Sequence, residues 1–222
     1  MTQSKKRVLI FLLSLDIILT ILHILFGRQN FFFHLDIEHN LPTYYQGFKL
    51  IIFGIIFLVW FFKRKSNEKM PLFSLPFSLG MIFIGIDEVF EIHENIYRVF
   101  ELTNFFHPER VIEATLDAGY RSSIWIIYYL PIIFTALIWL GYFLRHFQEK
   151  SKAVFKLLIL SCFLVFIVFL MEILSSSGLF SDETYFWMIT VEETAEAIFG
   201  TALVAIGLLT LGKTVANKEI VF

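Results

Sequence analysis

Ser78-Leu79-Gly80-Met81-Ile82-Phe83-Ile84-Gly85-Ile86-Asp87-Glu88-Val89-Phe90-Glu91-Ile92-His93-Glu94 begins as a membrane span and ends as a block of acid. Its apolar run extends back toward Pro71, long enough with the acidic end to cross a hydrocarbon core about 30 Å thick. A second block, Glu192-Glu193-Thr194-Ala195-Glu196, lies inside another apolar run. An ionisable side chain within a bilayer costs about 2.5–3.5 kcal/mol on insertion scales, so such residues turn inward. Seven carboxylates in two short blocks need compensating positive charge.

The same apolar patterning recurs along the 222 residues, which are 57% hydrophobic and include 28 Phe. Six spans are expected, at about 8–27, 46–62, 71–95, 123–144, 153–174 and 185–211. They form a single all-α transmembrane domain, residues 1–222, built as a six-helix bundle. Pro76 and Pro131 fall inside spans and are expected to kink them. The 101–122 stretch is the longest connection, with room for a short amphipathic helix. The first apolar run is too long for a typical signal-peptide core and lacks a small-x-small site, so it reads as an uncleaved span. Cys162, the one cysteine, forms no internal disulfide and reads as a packing residue. No basic surplus or basic–aromatic stripe points to nucleic acid.

Lysine and arginine set the expected orientation. Of the 18, only Arg28, Lys49, Arg98, Arg110 and Arg121 fall at or near one end of the spans, and the remainder gather at the other. Both termini are therefore expected to be cytoplasmic, with most carboxylates toward the outside.

Counting about 1.5 Å per residue from the lysine-rich boundary puts Asp87, Tyr128 and Glu196 at roughly 24 Å. His23 falls near 22 Å, Lys49 near 20 Å and Glu172 near 28 Å on the same count. Six spans thus bring polar groups to one layer. Asp87, Glu91 and Glu94 share an arc of an uninterrupted third helix, whereas His93 points away from it. Asp16, Thr20 and His23 line one stripe of the first span. Two readings fit Lys49: its stem snorkels outward, or its amine is the counter-ion of the cluster. Two also fit His34, Asp36, Glu38 and His39, either a polar turn on the headgroups or a loop metal site. Thr43 is the expected cap of the second helix.

The order Asp36-x-Glu38-x-Asn40-Leu41-Pro42-Thr43, then Asp87-Glu88 with Ile92-His93-Glu94, then Glu192-Glu193-x-x-Glu196, resembles a pattern in uncharacterised multi-pass bacterial membrane proteins. The resemblance covers most of the chain and implies a bacterial inner (plasma) membrane, with no activity attached.

Hard divalent ions take carboxylate oxygens, and imidazole adds affinity for Fe, Mn or Zn. The expected site is an outward-opening pocket for one such divalent metal ion. Its ligands are Glu88, Glu91, Glu193 and Glu196, with Asp87, Glu172 and His23 in the first or second ring. A bound metal could activate water or oxygen for hydrolysis or oxidation of a lipid-like substrate drawn from the surrounding membrane lipids. The alternatives are a proton or cation transporter or channel, and a non-catalytic assembly subunit with a structural acidic layer. The bland reading of each residue is an acidic helix end solvated at the interface, and for His23 a packing role. Below the layer only Asp16, Ser14 and Ser161, with Ser74 and Ser78, are polar, so the lower half is expected to be largely sealed. No span is read as carrying the buried lysine of a retinal-binding protein.

Overall fold

A computed structural model describes residues 2–37, 39–63, 74–93, 95–96, 125–177 and 179–216, and among them all regular structure is helical. The helices are α1 (Gln3–Leu22), α2 (Leu41–Lys63), α3 (Ser74–Phe90), α4 (Trp125–Lys150), α5 (Lys152–Ser176) and α6 (Asp182–Ala216). Five are long and apolar enough to cross a membrane: α1 with the π turn His23–Gly27 that follows it, α2, α4, α5 and α6. The described part of α3 is 17 residues, one turn short of a full crossing. The 101–122 stretch lies outside the described residues. Pro131 does not interrupt α4, because the helix runs unbroken across it.

Polarity is arranged inside out. Phe134 on α4 is 67% exposed, and Phe11, Phe163 and Phe166 also face outward, whereas Asp16 and Lys49 are 1% and 2% exposed. Lipid accepts the aromatic faces, and the bundle interior shelters the charges.

α2 and α6 form the centre. α2 packs along α3 and α6, while α6 also takes α5 and α1, and α4 leans chiefly on α5. The α2–α3 contact is close because a glycine from each helix meets the other's backbone. A Cβ on Gly47 would lie 2.8 Å from the Gly85 carbonyl oxygen, and one on Gly85 would lie 2.7 Å from that of Gly47. Small residues at a helix crossing let backbones approach where apolar transfer supplies no drive between helices.

Toward the lysine-rich end the interior is aromatic. Phe53, Phe57, Trp60, Phe77 and Phe143 interlock, with Phe53–Phe57 centroids 4.7 Å apart and Phe57–Trp60 edge-on at 5.4 Å. Such ring pairs contribute about 0.5–1.5 kcal/mol each beyond burial. They fill this half of the bundle with rings, among which Ser74, Ser78 and Ser161 are also buried.

Entry into α2 is set by Asn40, not Thr43. Asn40 stands before the first helical residue and its Oδ1 accepts the Thr43 N–H at 3.2 Å. Its Nδ2 donates to the Phe31 carbonyl at 3.2 Å and to the His34 carbonyl. The expectation failed because Thr43 lies inside the first turn, where it receives the cap rather than making it.

Candidate functional site

The polar interior has a base and a layer above it. The base is an ion pair: Lys49 Nζ lies 2.8 Å from Asp16 Oδ1 and donates to the Ala197 carbonyl at 2.7 Å. Asp16 Oδ2 takes the Thr201 hydroxyl at 2.6 Å. The Tyr45 ring, one turn before Lys49 on α2, faces the ammonium with its centroid 4.3 Å away. Gly200 on α6 makes room for this, since a Cβ there would meet Gln46 Oε1 at 2.9 Å and Lys49 Cε at 3.2 Å. Lys49 therefore does not snorkel, because a mid-helix anion and the Ala197 carbonyl lie closer than the surface does. It is also a buried lysine, contrary to expectation. A cavity of about 20 Å³ lies beside its partner Asp16.

The layer is built from α6, α3, α5 and the segment after α1. Glu193 has Glu196, Glu88, Glu192 and Asp36 as electrostatic neighbours. Glu196 feels His93, Lys49 and Glu172, and Gln46 hydrogen-bonds to it. Glu192 is 6% exposed, lies within hydrogen-bonding reach of the Glu172 carboxyl, and has an Oε2 that meets no donor among the described residues. Glu88, Glu172, Glu193 and Glu196 are thus brought together, along with Glu192 and Asp36.

Three other residues of the expected ligand set are held apart from that group. α3 stops at Phe90, and Glu91 takes a left-handed backbone, φ 53°. The uninterrupted arc through Asp87 and Glu91 therefore does not exist; Glu91 Oε1 pairs with His39 Nε2 at 3.1 Å. The same break swings His93 back over Asp87, with its N–H 2.7 Å from Asp87 Oδ1 and its Nδ1 3.3 Å from Oδ2. Asp87 Oδ1 also accepts the Tyr129 hydroxyl at 3.0 Å. Glu94 and Glu38 lie outside the described residues.

His23 is fully buried and stacks on Phe186, with ring centroids 4.6 Å apart. Its Nδ1 accepts the Leu35 N–H at 3.1 Å. A neutral ring then carries its proton on Nε2, which meets no acceptor among the described residues. Stacked on Phe186, the ring packs as the bland reading has it. His34 stands edge-on to it at 5.2 Å. Asp36 accepts the Tyr185 hydroxyl at 3.0 Å, and Arg28 pairs with Glu183, so this segment is tied to α6.

Residues that the sequence did not single out for this site include Tyr45, whose place by sequence is an interfacial aromatic belt, Gln46, Tyr129 and Thr201. A signal existed for the first two, which precede Lys49 by four and three residues and so share its face of α2. Tyr129 is one step round α4 from the expected Tyr128, an offset that depth counting cannot resolve. Among the described residues, no three His, Cys, Asp or Glu side chains surround a common metal-sized point. As placed, the layer is a set of facing carboxyls beside one lysine that is already committed to Asp16.

No curated protein and no solved structure matches the chain. Residues 27–211, from the end of α1 to the last turns of α6, match a family model described as a domain of unknown function, and the chain belongs to that family, DUF8692.

Proposed function

We propose that this multi-pass membrane protein holds a cation site in its acidic layer, where a divalent metal competes with protons for Glu88, Glu193 and Glu196. The observation that carries the reading is a charge imbalance. Carboxyls from α3, α5 and α6 face one another, and the lysine beneath them is bound to Asp16 at 2.8 Å. In this reading the balancing positive charge enters as protons between paired carboxyls or as a metal. Protons suit the side chains as placed, since two carboxyls such as Glu192 and Glu172 hydrogen-bond only through a shared proton. A metal would require Glu88, Glu193 and Glu196 to rotate inward and release those protons.

In this reading the layer opens to the outer face of a bacterial inner membrane. The interlocked Phe53, Phe57, Phe77 and Phe143 rings favour a closed site over a conduit to the cytoplasm. Asp87, fixed by Tyr129 and His93, stands beside the layer as a group that orients rather than ligates. Fe, Mn or Zn would suit the oxygen-rich donors. If coordination positions remain open, the metal would activate water or oxygen toward a lipid-like substrate.

Elemental analysis of protein purified without added metal, followed by equilibrium dialysis against Mn²⁺ at low and high pH, tests the proposal. Metal should bind more tightly at high pH and release protons as it enters, and Glu196→Gln should abolish it. A protein that takes up no metal at either pH would remove the metal reading. The layer would then be one that carries protons alone, for which vesicle flux under an imposed gradient is the readout.

A further inference from the structure

Between α1, α2 and α6 lies a cavity of about 20 Å³, with Asp16, Thr20, Tyr45, Gln46 and Glu193 among its walls. It is the space that separates the acidic layer from the Asp16–Lys49 pair. A cavity needs roughly 10–15 Å³ and two to four polar partners to hold a water. This one has the volume, and polar side chains stand in a wall that is otherwise apolar.

A second observation points into the same space. The Gln46 side chain is buried, and its Oε1 meets no donor among the described residues. The amide cannot turn to satisfy it, because Nε2 donates to the Glu196 carbonyl at 2.8 Å. Tyr45 is occupied as a donor by the Leu12 carbonyl at 2.9 Å, and Thr20 by the Asp16 carbonyl at 3.0 Å, with the Thr194 hydroxyl beside it at 3.0 Å. Gln46 is in the cavity wall, so a donor held there is placed to reach its Oε1. A buried polar atom left without a partner is uncommon, and ordered water is the usual remedy.

We propose that one water is bound in this cavity, donating to Gln46 Oε1 and bridging Glu193 of the layer to Asp16 of the ion pair. Asp16 has capacity for it: its carboxylate takes Lys49 and Thr201, with the Tyr45 hydroxyl also within hydrogen-bonding reach, and two carboxylate oxygens offer about four acceptor positions. The water then adds a hydrogen-bonded link between two groups that are otherwise coupled only through space, by way of Lys49, which faces Asp16 as well as Glu196 and Glu88. On one side Asp16 faces Lys49 and Tyr45 of α2. On the other, Glu193 faces Glu192 and Glu196 of α6, Glu88 of α3 and Asp36 of the segment after α1. A change in charge at Glu193 reaches Asp16 through this bridge. The inference concerns the layer described above but needs no metal, so it stands or falls independently of the cation site.

Two measurements on the full chain test it. In a structure of the wild-type protein fine enough to show other buried waters, density should appear within hydrogen-bonding distance of Gln46 Oε1, Asp16 and Glu193. In infrared spectra of protein labelled with ¹³C-aspartate, with the Asp16 carboxylate band identified by its loss in Asp16→Asn, Glu193→Gln should shift that band. The shift should disappear in a Gln46→Leu background, where the acceptor is gone and the space is filled. A dry cavity overturns the proposal, as does a Glu193→Gln shift of equal size in both backgrounds or no shift in either. The density measurement needs no variant, so poor folding of a substituted protein cannot shield the idea.

Discussion

His39 and Glu91 are the two non-glycine residues with left-handed backbones among those described, φ 59° and 53°, and they are bonded to each other, His39 Nε2 to Glu91 Oε1 at 3.1 Å. One lies in the segment before α2 and the other at the end of α3. Each backbone is held in a conformation that costs of order 1–3 kcal/mol for a residue with a Cβ. The pair ties the turn that ends α3 to the segment that precedes α2, and that turn brings His93 over Asp87.

Glu91→Gly and Glu91→Ala separate the strain from the contact. Both remove the pair with His39, but only glycine relieves the left-handed backbone. The glycine variant should unfold at higher temperature than the alanine variant, by an amount equivalent to about 1 kcal/mol. Equal melting temperatures in the same detergent would mean that the turn is not left-handed.

The Asp16–Lys49 pair should behave as a unit. Removing one partner of a buried ion pair costs about 3–5 kcal/mol, because the other is left charged and unpaired. Lys49→Met and Asp16→Asn should each lower stability on that scale, and the double variant should lose markedly less than the sum. Additive losses in denaturant unfolding would show that the two side chains do not depend on one another.

The α2–α3 contact predicts a contrast between two glycines of one helix. Gly85→Val drives a side chain into the Gly47 backbone, which cannot step aside, and should abolish recovery of folded protein. A Cβ on Gly80 meets nothing within 4 Å. Gly80→Ala should therefore be neutral or stabilise α3 by up to about 1 kcal/mol, judged by monodisperse yield and melting temperature. Equal tolerance at both sites would refute the close crossing.

Orientation can be read with an impermeant thiol reagent on a Cys162→Ala background. A cysteine at Ser181, at the acidic end of α6, should label in intact cells, and one at Gln148, at the lysine-rich end of α4, should label only after lysis. The reverse pattern would turn the acidic layer toward the cytoplasm and the proposed entry route with it.

How much of this was legible in the residues differs from element to element. The apolar runs and their lysine-rich breaks mark the helices, because hydrocarbon thickness and backbone hydrogen bonding leave a 20-residue apolar stretch few alternatives to a helix. The rise per residue likewise places Glu88, Glu172, Glu193 and Glu196 near one depth, a one-dimensional property that survives folding. Rotation about each helix and local breaks do not follow from such counting. Glu91 leaves the arc of Asp87 because α3 ends one residue earlier, and Tyr129 rather than Tyr128 meets Asp87 because a single step turns a side chain by 100°. The partner of Lys49 was equally open, since an amine on a flexible stem goes to the nearest anion or carbonyl. Tyr45 is near by its place four residues earlier on α2, but Asp16 and Ala197 become nearest only when the helices pack, with Gly200 letting α6 close on α2. Depth belongs to the chain, and partnership belongs to the packing, because a hydrogen bond or ion pair is settled within about 3 Å, a tolerance finer than helical periodicity can supply.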